Sequence, residues 1–190
     1  MYRVFAHLMV LSSVLLAGCD ALDRLSKVEV TATSETEVEG SIAGQTLGVF
    51  DFGGDFVSFD ITQTSAFENN NIGRNNIGES YVTRFYLEVI SEESDDLAFI
   101  DGMEVYFDDD DKHDDPDSDS GLVEAQVAFI ESGEEPEKGQ RTLSLTLTDQ
   151  NIGQFLREKD LYVHVDASGN PPSDDVTIRA EMDILVNVEW

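Results

Sequence analysis

The chain predicts an all-β fold, an antiparallel β-sandwich of immunoglobulin-like architecture with about eight strands. Three observations predict it. Apolar and polar residues alternate at period two in segment after segment, as in a strand with one buried face. Clusters of Gly, Pro, Asp and Ser separate those segments, as turns require. Hydrophobic residues make up 41% of the 190, enough to fill a core, while only two short segments read as helical turns.

Val28, Val30 and Ala32 open the series of strands. Val57, Phe59 and Ile61 form the second set, and Phe85, Leu87 and Val89 the third. Two further strands, over 103–107 and 122–130, flank an acidic stretch, the latter carrying Val123, Ala125, Val127 and Phe129. Leu143, Leu145 and Leu147 alternate next, then Leu161, Val163 and Val165. The longest run is the last. From Val176 to Trp190 every second residue is apolar, and Leu185 is the one exception on the polar face. Turn clusters fall at Gly53-Gly54, 92–96, 132–139 and 168–174, the last with Pro171-Pro172. Helical turns are expected over 65–74 and 149–157, the second placing Ile152, Phe155 and Leu156 on one face. No Cys pair or strand-centred Trp marks a true immunoglobulin domain, so the term describes architecture only.

The first twenty residues do different work. Arg3 gives a short basic region, and an apolar stretch runs from Val4 to Leu16 with His7, Ser12 and Ser13 inside it. At about 1.5 Å per residue it spans roughly 20 Å, short of a bilayer core of about 30 Å. It therefore reads as a signal peptide and not a transmembrane helix. It ends in Leu16-Ala17-Gly18-Cys19, which resembles the lipobox of bacterial lipoproteins. The resemblance implies a diacylglyceryl thioether on Cys19 and cleavage before it. Residues 1–18 are then the leader, 19–26 a tether and 27–190 a single sandwich domain. Arg3 is the one charged residue of the leader, so its loss takes the net charge from −29 to −30. The only cysteine is consumed by lipid, which leaves no disulfide, thiol nucleophile or CxxC centre. Asp20 follows the Cys, and the leaflet stays open.

The order of the pieces is similar to that in uncharacterised β-sandwich lipoproteins of Gram-negative bacteria. The stretches that carry the likeness are YVTRFYLEVIS (81–91), LAFIDGMEVYF (97–107), RTLSLTLTD (141–149) and a closing strand after a Pro-containing loop. It implies a fold and an envelope location, periplasmic or surface-exposed, and no catalytic residues.

Forty Asp and Glu against eleven Lys and Arg give the net charge of −29. Such a chain repels nucleic acid and anionic membrane surfaces, so the lipid is the expected membrane contact. The charge is concentrated over 108–119, where eight of twelve residues are Asp. Asp115, Asp117 and Asp119 alternate, which directs oxygens toward one point as a hard-cation loop does, and Ca²⁺ is the candidate ion. Ser120 stands where an EF-hand loop needs Gly, and Gln126 where it needs Glu, so Glu124 is the candidate fourth carboxylate of a looser loop. The plainer reading is a solvated acidic hairpin, open to proteases.

Residues 70–79 repeat Asn-Asn-Ile-Gly at period five, and Asn151-Ile152-Gly153 echoes them. Consecutive turns explain this best, because Asn and Gly tolerate left-handed backbone. A ligand loop using Asn71 and Asn76, with Tyr81 and Tyr86 against sugar hydroxyls, is the sharper alternative. His113 and His164 are the mature chain's histidines, too far apart in pattern to form a zinc set. His164 lies on the polar face of a strand with Tyr162 and Asp166. The motifs GxSxG, HExxH, GxxxxGK[ST] and GxGxxG are absent. The sequence thus points to a non-catalytic binding or structural module. Its alternative is a calcium-dependent adhesion or carbohydrate-binding lipoprotein using the 108–121 loop. Glycan or cation ligands fit either reading, and nucleic acid fits neither.

Overall fold

The computed structural model describes residues 26–40, 49–50, 60–92, 95–108, 122–158 and 161–190. Nine strands among them form two antiparallel sheets. They are β1 (Lys27–Val38), β2 (Val49–Phe50), β3 (Ile77–Val89), β4 (Ile100–Asp108), β5 (Ala125–Phe129), β6 (Thr142–Ser144), β7 (Thr146–Leu147), β8 (Tyr162–Gly169) and β9 (Val176–Val188). One sheet has the order β1-β9-β3-β6 and the other β2-β8-β4-β5-β7. Two short helices accompany them, α1 (Ser65–Asn70) and α2 (Gly153–Arg157). The predicted all-β sandwich is the fold. No helix among the described residues is long and apolar enough to cross a membrane.

The period-two pattern explains where the core lies. Val176, Ile178, Ala180, Met182, Ile184, Val186 and Val188 are all buried, so β9 is the spine of its sheet. β1 pairs with it residue for residue from Lys27↔Asn187 to Val38↔Val176, and β3 pairs on its other side. From the facing sheet come Met103, Val105 and Phe107 of β4 and Val163 and Val165 of β8. Phe67, Phe85, Phe107 and Phe155 are fully buried, each contributing about 1.5–3 kcal/mol of burial.

The outer face of the β9 sheet is a charge ladder. The Arg84 guanidinium bonds Asp183 at 2.7 Å and also Glu181, and Thr31 donates to Asp183 at 2.7 Å. Arg179 reaches Glu35 at 2.8 Å and Glu88 at 3.7 Å. Such exposed pairs contribute about 0–1 kcal/mol each, so their main effect is to keep an acidic face from repelling itself.

Several expectations are corrected. Leu143, Leu145 and Leu147 do not share one strand. β6 pairs with β3 and β7 with β5, so the chain changes sheets at Leu145. Leu145 is buried at the crossing, and its N–H bonds the Phe85 carbonyl at 3.0 Å. Ile61, expected in a strand, opens a 3-10 turn over Ile61–Gln63; Val57 and Phe59 lie outside the described residues. The Asp60 carboxylate accepts from Thr62 N at 3.0 Å and from Gln63 Nε2 at 3.0 Å, which fixes that turn locally. Val123 is 81% exposed, because β5 starts only at Ala125. A register shift between Val105 and Tyr106 then lets Val127 and Ala128 both face inward. Trp190, past the end of β9, is 76% exposed.

Candidate functional site

The acidic stretch joins two strands that pair antiparallel, with Phe107 opposite Ala125, so it is a hairpin connection as expected. Asp108 is not part of the loop. It is the last residue of β4, opposite Tyr162, and is buried. Asp115, Asp117 and Asp119 lie outside the described residues, as does Cys19. Glu124 is described: it is half-buried just before β5, and its charge acts on Tyr106. Among the described residues, no group of three His, Cys, Asp or Glu side chains is placed to hold a metal ion.

The two candidate asparagines of the 70–79 segment are engaged in building the fold. Asn71 ends α1 in the left-handed region, at φ 53°. The Asn76 side chain accepts from Gly73 N at 3.1 Å and donates to the Glu189 carbonyl at 2.8 Å. Its backbone carbonyl accepts from Glu189 N at 2.7 Å. Asn76 thereby clasps the last residues of the chain onto the start of β3. The echo at Asn151 has a related task. Its Oδ1 accepts from Ser80 N and Gly153 N, each at 3.0 Å, and Ile152 N bonds the Ser80 carbonyl at 2.8 Å. In all three copies of Asn-Ile-Gly the isoleucine is buried: Ile72, Ile77 and Ile152. The repeat is therefore three anchor points around one end of the sandwich.

That end carries two adjoining polar hollows. α2 docks Ile152, Phe155 and Leu156 into the core, as its apolar face predicts, and leaves Gln154 and Arg157 outside. The Arg157 guanidinium donates to the Ile77 carbonyl at 2.7 Å, which ties the helix to β3. Two hollows open beside it. One, of about 440 Å³, lies against Gly78, Glu79, Asn151 and Glu189. The other, of about 610 Å³, lies against Leu122, Glu124, Gln126 and Thr148. Gln150 and Gln154 line both, so the hollows adjoin. Both glutamines are exposed, and among the described residues their amides have no hydrogen-bond partner.

The second hollow continues onto the outer face of the β4 sheet. Gln126 Nε2 donates to Glu104 Oε1 at 3.0 Å and to the Tyr106 hydroxyl at 3.4 Å, while that hydroxyl donates to Glu104 Oε2 at 3.0 Å. Burial, the bond to Glu104 and the charges of Glu104, Glu124 and Asp166 push the Tyr106 phenol up to about 12. His164 sits opposite Tyr106, half-buried beside Asp166 on that same face, as the alternation predicts. At the first hollow, Tyr81 donates to Glu79 at 3.4 Å, and desolvation and the charges of Glu79 and Asp149 raise its phenol. Both tyrosines therefore stay protonated at neutral pH, as hydrogen-bond donors. The arrangement is one of amides, hydroxyls and carboxylates, with the Arg157 guanidinium at the first hollow.

Sequence reading found the segments at this end but not the hollows, and it missed two other local devices. Arg141 donates to the carbonyls of Val89 at 3.0 Å, Ser91 at 3.2 Å and Asp95 at 2.7 Å, and also to that of Glu92. One guanidinium thus closes the connection after β3. Asp60 also pairs with Arg74 at 2.5 Å. The Asp60-x-x-Gln63 spacing is a helix-start signature that marks its turn in the sequence. Nothing in the spacing of Arg141 marks its role, because its partners are backbone carbonyls.

No protein-family model matches the chain, and no curated protein matches it. Among solved structures it is similar to the decameric BFDV capsid protein, at 10% identity and a TM-score of 0.39, over 86% of this chain and 98% of that one. It is also similar to Desmodium yellow mottle tymovirus, at 8% identity and a TM-score of 0.20, over 86% and 84% of the two chains. At these values the likeness identifies neither a family nor a function.

Proposed function

We propose that the chain is a lipid-anchored β-sandwich of the bacterial cell envelope, acting as a non-catalytic binding or structural module. The observation that carries this is Leu16-Ala17-Gly18-Cys19 behind a basic, then apolar, leader. β1 begins at Lys27, and the Ser26 carbonyl accepts from Val188 N at 2.6 Å, so the proposed tether would join the domain there. The seven residues from 19 to 25 would extend to about 25 Å at most. Lys27 pairs with Asn187, two residues before the Glu189 wall of the first hollow, so a tether ahead of Lys27 would join at that end. Each acyl methylene buried in lipid contributes about 0.8 kcal/mol, so two chains hold the protein stably while a net charge of −30 keeps the domain off anionic headgroups. Cys19→Ala, expressed in a Gram-negative host with labelled palmitate, is expected to lose all label carried by the parent chain. Label on the variant contradicts the proposal.

The calcium reading has its own support. Antiparallel pairing of β4 and β5 brings together the two ends of the stretch that contains Asp115, Asp117 and Asp119. Glu124 at the β5 end would face that stretch as a fourth carboxylate.

A further inference from the structure

We propose that the adjoining hollows beside α2 bind a neutral oligosaccharide, with the amides of Gln150 and Gln154 at the centre of the site. This deepens the binding-module reading and rests on it. The cavities, about 440 and 610 Å³, fall in the range of small-molecule sites. Their junction holds two side-chain amides with no partner among the described residues, each able to donate and accept. Sugar hydroxyls, which also donate and accept, match that chemistry group for group. Glu79, Glu124 and Glu189 add acceptors around the walls. The Arg157 guanidinium also lines the first hollow, where it donates to the Ile77 carbonyl at 2.7 Å, and the three carboxylates of the walls outnumber it.

Part of the wall is backbone fixed by the fold. Gly78 and Gly153 meet where β3, α2 and β9 converge, and Asn151 fixes the turn between the hollows with two hydrogen bonds at 3.0 Å. An aliphatic contact comes from Leu122 and Val123 in the second hollow. Trp190, the chain's one tryptophan, follows the Glu189 wall and is 76% exposed, which puts a spectroscopic reporter beside the first.

The test is a titration of the full chain in detergent, read by calorimetry and Trp190 fluorescence. The probes are maltohexaose, cellohexaose, xylohexaose, mannohexaose and chitohexaose, with spermidine and hexaalanine as competing chemistries. At least one hexasaccharide is expected to bind saturably, with Kd on the order of 0.1–1 mM. Gln150→Ala with Gln154→Ala is expected to weaken it at least tenfold, with an unchanged melting temperature. Thr33→Ala, exposed in the middle of β1 and absent from both hollows, is expected to leave it unchanged. No hexasaccharide binding, binding unaffected by the double substitution, or binding of spermidine or hexaalanine alone overturns the proposal. The palmitate experiment is independent of this one. A chain that is lipid-labelled but binds no saccharide refutes the glycan site and leaves the anchor standing.

Discussion

Gly153→Ala separates two physical expectations of opposite sign. Gly153 is the first residue of α2, and alanine is the better helix former by about 1 kcal/mol. On propensity alone the substitution stabilises. The packing opposes it. A Cβ at Gly153 overlaps the Gly78 carbonyl oxygen and comes within 3.1 Å of the Gly78 carbonyl carbon and 3.2 Å of Asn151 Oδ1. The first two are backbone atoms of β3, and the third already accepts two hydrogen bonds. The helix must therefore move outward, stretching the 2.8 Å bond from Ile152 N to the Ser80 carbonyl. It also loosens Ile152, Phe155 and Leu156, which are 0%, 0% and 2% exposed. Overpacking of this kind costs about 1–3 kcal/mol, and a weakened hydrogen bond adds about 1. With the propensity gain subtracted, the net loss is about 1–3 kcal/mol. In a urea titration with a slope near 2 kcal/mol/M, the midpoint falls by about 0.5–1.5 M. Gly73 is the internal control: it belongs to the same Asn-Ile-Gly repeat, has φ −99°, and its added Cβ meets nothing nearer than 3.7 Å. Gly73→Ala is expected to stay within about 0.5 kcal/mol. A Gly153→Ala midpoint equal to or above the parent's would refute the claim that the glycine is there for close approach.

Arg141→Lys replaces a planar fork that spans four carbonyls with a single ammonium. It is expected to cost about 2 kcal/mol, a drop of about 6 °C in melting temperature; an unchanged value shows that the clamp contributes nothing. The Arg84 hydrogen bond and charge, with Thr31, hold the Asp183 carboxyl below its ordinary 3.8 despite partial burial. A depressed folded pKa means that this stabilisation is complete above about pH 4 and fades as pH falls through the folded value. The stability difference between the parent and Asp183→Asn should therefore be constant from pH 7 to 5 and shrink below 4. A difference that grows in acid contradicts the sign. Calcium at about 1 mM, matched for ionic strength, should raise the melting temperature of the full chain by several degrees if Asp115, Asp117, Asp119 and Glu124 form a site, and Asp117→Asn should remove the rise. An unchanged melting curve sinks the calcium reading.

The parts of the fold that could be read in the sequence are those where one face is wholly buried. β9 alternates because every inward position from Val176 to Val188 meets the core, and α2 could be placed because Ile152, Phe155 and Leu156 have nowhere else to go. The change of sheet at Leu145 was not legible, since a strand that crosses between sheets keeps the same alternation through the crossing. Val123 and Trp190 misled for a related reason: each extends a period-two pattern past the last ladder hydrogen bond, where burial stops. The hollows were illegible because their walls come from four distant segments, and Gln150 and Gln154 carry no pattern of their own. Asn76 was legible as a residue with a task, but not which task. Its amide closes onto Glu189, a contact 113 residues away that no local spacing encodes.

The most direct test of the anchored-module account is the intact mass of the protein extracted from envelope membranes. The account predicts a chain that starts at Cys19, with the mass of residues 19–190 plus a diacylglyceryl group, with or without a further N-acyl chain. An unmodified Cys19, or a mature chain that begins at any other residue, contradicts it.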